Sequence, residues 1–195
     1  MPRILIISAS QFGAGASLAT MIENELGTDA EVRIRRVPEV VFPQAIRQPV
    51  TDIEVIETAD LHWADGYLVI SPTHTGMMAA SLKAFIDQQH SNADKNEFAN
   101  RTFAALTTAT RTSGGQERVL EDLLTIAGTW GCLPVTPGGT QNRLGELNGS
   151  ALGIPVLLRA GSIANIEETA EVLYYFLERF LKITTTTASL IKRAG

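Results

Sequence analysis

The chain of 195 residues has a single cysteine, Cys132. That excludes an internal disulfide and a cysteine-rich metal site. It lacks a basic run and carries a formal net charge of -5, which argues against a primary nucleic-acid binder. No apolar run approaches the roughly 20 residues of a membrane span. The N-terminus "MPRILIISAS" turns polar too soon for a signal peptide, so a soluble cytoplasmic protein is expected. Aromatics are scarce at 6%, and the first lysine does not appear until Lys83. The chain contains no H-E-x-x-H or similar metal spacing and no G-x-S-x-G nucleophile elbow. Metalloenzyme and serine-hydrolase readings fall away, and no catalytic side chain or metal ligand is assigned.

What is present is alternation. Strand-length apolar runs stand at 3–8 (RILIIS), 31–36 (EVRIRR), 66–71 (GYLVIS), 102–108 (TFAALTT) and 131–135. Helical spacing of apolar residues marks 17–27, 79–90, 116–128 and 166–183. Strands alternating with helices imply right-handed crossovers, a parallel sheet and one α/β domain over 1–195. The stretch 37–60 holds Pro38, Pro43 and Pro49 and reads as a long connection with one helical turn. Residues 136–165 read as mostly loop, and 184–195 as a frayed tail or a small edge element.

The loop "SASQFGAGAS" (Ser8–Ser17) joins the first strand to its helix. A nucleoside-triphosphate loop needs a lysine at the helix start, and none is there. A dinucleotide fingerprint needs a third glycine where Leu18 stands, and an acid after the second strand where Arg33, Arg35 and Arg36 stand. A third type holds one terminal phosphate with hydroxyls and backbone amides at a helix N-terminus. Ser8, Ser10 and Ser17 supply the hydroxyls, and Gly13 and Gly15 the close backbone approach. An empty strand-to-helix turn is the competing reading. Two more Thr/Gly-rich loops change the balance: "PTHTGMM" (Pro72–Met78) after the third strand and "TATRTSGGQE" (Thr108–Glu117) after the fourth. In an open α/β sheet all three gather beyond the carboxyl ends of the strands, where ligands bind.

These loops, with "VRIRRVPE", "ADGYLVISPTHTGMMAASLKAFIDQ" and "TRTSGGQERVLEDLLTIAGTWGCLPVTPG", carry a resemblance. The chain resembles the flavodoxin-like NAD(P)H:quinone oxidoreductases of the tryptophan-repressor-binding-protein (WrbA) family over most of residues 1–139. The resemblance implies a flavodoxin-like three-layer sandwich, with a five-stranded parallel sheet of order 2-1-3-4-5 and helices on both faces. It implies FMN as cofactor, NAD(P)H as co-substrate and a quinone as acceptor. It places the phosphate on Ser10, Gln11, Phe12, Gly13, Ala14 and Gly15. The ring edge falls on Pro72, Thr73, His74, Thr75 and Gly76. The third loop contributes Ala109, Thr110, Arg111, Thr112, Ser113 and Gly114. A homodimer or homotetramer is implied, whose neighbours complete the flavin pocket, with no membrane or nucleic-acid partner.

The sequence departs from that family at His74-Thr75 (usually Arg-Phe), Met77 (usually Asn), Ala93 (often Trp) and Thr129-Trp130 (a His pair). A one-electron carrier of the flavodoxin type, and a flavodoxin-like scaffold that has lost FMN, are therefore the alternatives. Single residues have plain readings as well. His74 is either a flavin or substrate contact or a half-exposed loop histidine. Arg111 either stabilises an anion or is a surface arginine. Trp130 and Cys132 are expected in the core, His62 and Trp63 as capping or packing groups, Asp87 in solvent, and Glu117 on its helix dipole.

Overall fold

The computed structural model describes residues 1–9, 13–40, 52–138 and 150–192. Ser10, Gln11 and Phe12 of the expected phosphate loop lie outside them, as do Pro43 and Pro49.

Strand β1 (Arg3–Ser8) is the centre of construction. It is apolar on both faces because both faces are covered. Alternation sorts its side chains into two cores. Ile4 and Ile6 join Leu18, Ile22 and Leu26 of helix α1 (Ala14–Leu26) and Phe176 and Phe180 of a long C-terminal helix. Leu5 and Ile7 join Leu61, Phe85, Leu123 and Trp130 on the opposite side. The result is three layers.

The remaining elements follow in order: β2 (Glu31–Arg36), α2 (Thr58–Trp63), β3 (Gly66–His74), β4 (Met77–Met78), α3 (Ala80–Gln88), α4 (His90–Asp94), β5 (Thr102–Ala109), α5 (Gln116–Thr129), β6 (Leu133–Pro134), β7 (Ile154–Arg159), β8 (Ser162–Ile163) and α6 (Ile166–Thr187). A 3₁₀ turn (Ala188–Leu190) closes the described chain. Among the described residues no helix is long and apolar enough to cross a membrane.

The resemblance implies five parallel strands in the order 2-1-3-4-5; among the described residues the sheet has eight strands and is mixed. Its main path runs β2-β1-β3-β5-β7-β8, with β4 on β3 and β6 on β5. β4 and β8 are antiparallel, being the return arms of short hairpins on β3 and β7. The place beside β5 is shared. β6 pairs with Thr102 and Phe103 at its start, and β7 with Leu106 to Ala109 at its end. β7 falls within the stretch 136–165 that reads as loop from sequence. Pro155 lacks a donor for a ladder, and it is tolerated because at that position β7 pairs with β5 alone, β8 joining only at Leu158 and Arg159.

The predicted frayed tail also differs. α6 continues to Thr187 because Thr184 is buried and its hydroxyl lies 2.6 Å from that of Thr102 on β5. On β2, Arg33 and Arg35 face α2, while Arg36 donates to the Ile53 carbonyl. Arg33 and Arg35 each bond an Asp60 carboxylate oxygen, at 3.2 and 3.1 Å, and the Arg33 guanidinium lies 4.1 Å from the centre of the Trp63 ring.

Candidate functional site

The carboxyl ends of β1, β3 and β5 bring three chain segments to one edge of the sheet. The first is the start of α1. Gly13 sits there at φ +87, a left-handed conformation that costs glycine nothing. It brings no side chain to cap the helix, and the first turn carries no acid. The positive end of α1 therefore faces the sheet edge without a compensating carboxylate. One strand position behind the loop, the Ser8 hydroxyl is buried with no hydrogen-bond partner among the described residues. A buried hydroxyl left alone is rare and marks a place where a polar partner belongs. Ser17, expected to face a phosphate, instead bonds back to the Gly13 carbonyl at 3.3 Å.

The second segment is a hairpin and not an open loop. β3 runs on through Pro72 and Thr73 to His74, turns at Thr75 and Gly76, and returns along Met77 and Met78. Both turn residues have positive φ, +54 and +82, as a two-residue hairpin requires. A β-branched residue such as Thr75 rarely accepts that conformation, and such strain collects at functional sites. The base of the hairpin is fastened. The Ala79 amide donates to the Ser71 hydroxyl at 3.1 Å, and the Thr73 and Thr107 hydroxyls meet at 3.0 Å. His74 is half-buried, and desolvation lowers its pKa from the ordinary 6.5, so the ring is neutral at neutral pH. Met77, where the resemblance has a polar amide, is exposed.

The third segment runs from Ala109, the last residue of β5, through Thr110, Arg111, Thr112 and Ser113 to Gly114 and Gly115 ahead of α5. Arg111 and Thr112 are exposed. Gln116, the first residue of α5, folds back across the loop: its Oε1 accepts from the Gly114 amide at 2.7 Å, and its Nε2 donates to the Arg111 carbonyl at 2.5 Å. Gly115, at φ +101, packs against the hairpin tip, and a Cβ built on it would stand 2.6 Å from the Gly76 Cα. The second and third segments thus touch backbone to backbone.

Of the predicted site residues, Gly13, Ala14 and Gly15, Pro72 to Gly76, and Ala109 to Gly114 stand at this one edge. Sequence reasoning missed Thr107, Gly115 and Gln116 as shaping residues. The double glycine before a helix was the available signal, since one of the two takes the left-handed cap. Trp130 and Cys132, read as core residues, are buried, whereas His62 is exposed and Trp63 partly buried at the core's edge. Trp130 is wedged between Phe98, 4.7 Å away by ring centres, and Tyr67, at 6.3 Å. Cys132 is buried, and desolvation pushes its thiol up to about 12. A recess of about 590 Å³ between α1 and α6, lined by Tyr174, Leu177 and Leu181 with Glu25 and Asp29, takes in none of the predicted site residues.

An uncapped helix start, a buried hydroxyl without a partner among the described residues, and two backbone turns packed against each other fit a flat molecule ending in a phosphate. Apart from the exposed Arg111 guanidinium, the donors of the described segments are neutral amides and hydroxyls, suited to a dianion and to the polar edge of a ring.

Comparison with known proteins agrees with this reading. The family described as NADPH-dependent FMN reductase matches residues 2–140. A protein of Deinococcus radiodurans named NAD(P)H dehydrogenase (quinone) is 30% identical over 164 residues, spanning 79% of this chain and 82% of that protein. Among solved structures, a flavodoxin, WrbA-like protein from Agrobacterium tumefaciens superposes with a TM-score of 0.67 at 15% identity, covering 96% of this chain and 99% of the other. A flavoenzyme NAD(P)H:(acceptor) oxidoreductase from Paracoccus denitrificans superposes with a TM-score of 0.64, also at 15% identity, covering 96% and 99%. At such identity the two structures speak for the flavodoxin-like fold.

Proposed function

We propose, because this chain belongs to the NADPH-dependent FMN reductase family, that it is an FMN-dependent oxidoreductase passing two electrons from NAD(P)H to quinones. The observation that carries the reading is the family match over residues 2–140, which contains all three segments at the sheet edge. Bound at this edge, FMN would supply the two-electron redox chemistry between NAD(P)H and a quinone. The chain's own residues bind and orient. The phosphate is assigned to Ser10, Gln11, Phe12, Gly13, Ala14 and Gly15; the bare helix start and the lone Ser8 hydroxyl support this. The polar edge of the ring is assigned to Pro72 to Gly76 and Ala109 to Gly114; the close approach of Gly115 to Gly76 supports a single shared binding surface. His74, held neutral by burial, is assigned to hydrogen bonding and not to charge compensation. No side chain is given a covalent or acid–base step.

We further read β2, β1, β3, β5 and β7 as the family's five-strand frame, with β4, β6 and β8 as additions. We read the chain as one domain acting in the cytoplasm as a homodimer or homotetramer. Light scattering on the purified protein tests the assembly.

The test of function is a visible spectrum of the purified protein with added FMN, followed by NADH or NADPH without oxygen and then benzoquinone. Perturbed flavin bands, bleached by the nicotinamide and restored by the quinone, are expected. Bound flavin that neither nicotinamide bleaches would instead mean an electron carrier. Absence of binding at micromolar FMN would mean a scaffold without cofactor.

A further inference from the structure

We infer that Gln116 is a positioning residue for the flavin, its carboxamide holding the third segment in the shape that meets the ring, in register with the hairpin. The inference rests on the flavin reading above. Gln116 is 8% exposed, although it opens a helix beside an exposed loop. A carboxamide buried there is costly unless both ends are bonded, and both are. Its acceptor takes the Gly114 amide and its donor reaches the Arg111 carbonyl, so residues 111–116 form a ring closed by a side chain. The consequence is selective. The Gly114 amide and the Arg111 carbonyl are occupied from within, which turns them away from any ligand.

The shape is then passed on. Gly115, the next residue toward the helix, leaves no room for a side chain against the Cα and carbonyl of Gly76. The hairpin carrying Gly76 is fastened at its base by Ser71 and by the Thr73–Thr107 hydroxyl pair. A change at Gln116 therefore moves two of the three segments together.

The residue type matters. Glutamate would suit the helix dipole better at this first position. It keeps the acceptor for Gly114 but loses the donor for Arg111. Leucine loses both, and asparagine is one carbon shorter. Only glutamine supplies donor and acceptor at this reach.

The experiment compares the unaltered protein with Gln116→Leu and Gln116→Glu. Affinity for FMN is read by flavin fluorescence, the flavin's visible bands by absorption, the fold by thermal unfolding, and the Gly114 amide by hydrogen exchange. We expect Gln116→Leu to bind FMN roughly 10-fold more weakly or worse, with shifted flavin bands and a faster-exchanging Gly114 amide. Gln116→Glu is expected to bind FMN more weakly than the unaltered protein at about pH 8, because the ionised carboxylate keeps the acceptor for Gly114 and has no donor for Arg111. Each affinity is taken as a ratio to the unaltered protein at the same pH. Should the leucine variant fail to fold, the glutamate variant, nearly identical in shape, carries the test alone. Unchanged FMN affinity and flavin bands in the variants that fold, even with lowered thermal stability, would overturn the inference and leave Gln116 a structural clamp. Failure of the unaltered protein to bind FMN would overturn the flavin reading, and this inference with it.

Discussion

Replacing Gly115 by alanine tests whether the hairpin and the third segment form one surface. At φ +101 the new side chain is strained whatever the space around it, at a cost of about 1–2 kcal/mol. The methyl also stands 2.6 Å from the Gly76 Cα and 2.8 Å from its carbonyl oxygen. Ordinary carbon contacts lie about 1 Å further out. Both neighbours are backbone atoms, so no side chain can rotate away and the two segments must part. Overpacking of this kind adds about 1–3 kcal/mol.

Gly76→Ala is the matched control. Its φ of +82 imposes similar strain, but nothing lies within 4 Å of the added methyl. The expected loss is therefore about 2–5 kcal/mol for Gly115→Ala against about 1–2 for Gly76→Ala. In a chain of this size each kcal/mol is about 2–4 °C in Tm. Urea unfolding measures the difference, and an FMN titration of both variants shows whether parting the segments also weakens binding. Equal stability and equal FMN affinity in the two variants would refute the coupling of hairpin and loop.

Other expectations follow from single contacts. Thr107→Val leaves the Thr73 hydroxyl without its 3.0 Å partner, and a cycle with Thr73→Val should show coupling of about 0.5–1.5 kcal/mol; additive losses would contradict it. Arg101, 3% exposed, donates to the carbonyls of Ala64, Glu97 and His62, so Arg101→Met should cost about 3–5 kcal/mol in urea unfolding, with lysine restoring less than half because it lacks the planar fork. Burial holds His74 below 6.5 in the folded chain. Its contribution to stability is therefore full above about 6.5 and is lost as pH falls through the lower folded value. An NMR titration of the ring with a midpoint at or above 6.5 would be inconsistent with this. Cys132, its thiol pushed up to about 12, should react with thiol reagents at about pH 8 only as fast as the chain unfolds; rapid labelling of the folded protein would contradict its burial.

The parts of this fold that could be read ahead of the structure are those where local pattern and tertiary role coincide. β1 is a continuous apolar run because both its faces are covered, and the helices after β1 and β5 show their buried stripes openly. β7 was hidden because Pro155 and the glycines around it argue against a strand, while the neighbouring β5 supplies the pairing that makes one. The end of α6 was hidden for the opposite reason. Four threonines in a row are weak helix formers. Yet Thr184, Thr186 and Thr187 return their hydroxyls to carbonyls four residues back, and Thr184 also meets Thr102. Tertiary contact outweighs propensity there. At the site, the loops were legible from their glycines and hydroxyls, but the left-handed Thr75 was not, since threonine is a poor choice for that conformation. Gln116 was passed over because, in sequence, it reads as one more polar residue at a helix start.

The departures from the resembled family divide along the same lines. His74, Thr75 and Met77 change the hairpin itself, so they alter what this chain offers to a ring. Thr129 and Trp130 do not. They end α5 beside the start of β5, where the Asn100 amide bonds the Gly131 carbonyl. The eight residues of β5, at about 3.3 Å each, separate that place from the three segments at the carboxyl edge. Trp130 is moreover committed to Phe98 and Tyr67, and the Thr129 hydroxyl to the Ile126 carbonyl. Neither side chain reaches its own chain's flavin surface. Of the departures, the hairpin's three residues are therefore the ones that alter the sheet-edge surface, while Thr129 and Trp130 belong to the packing at the far end of β5.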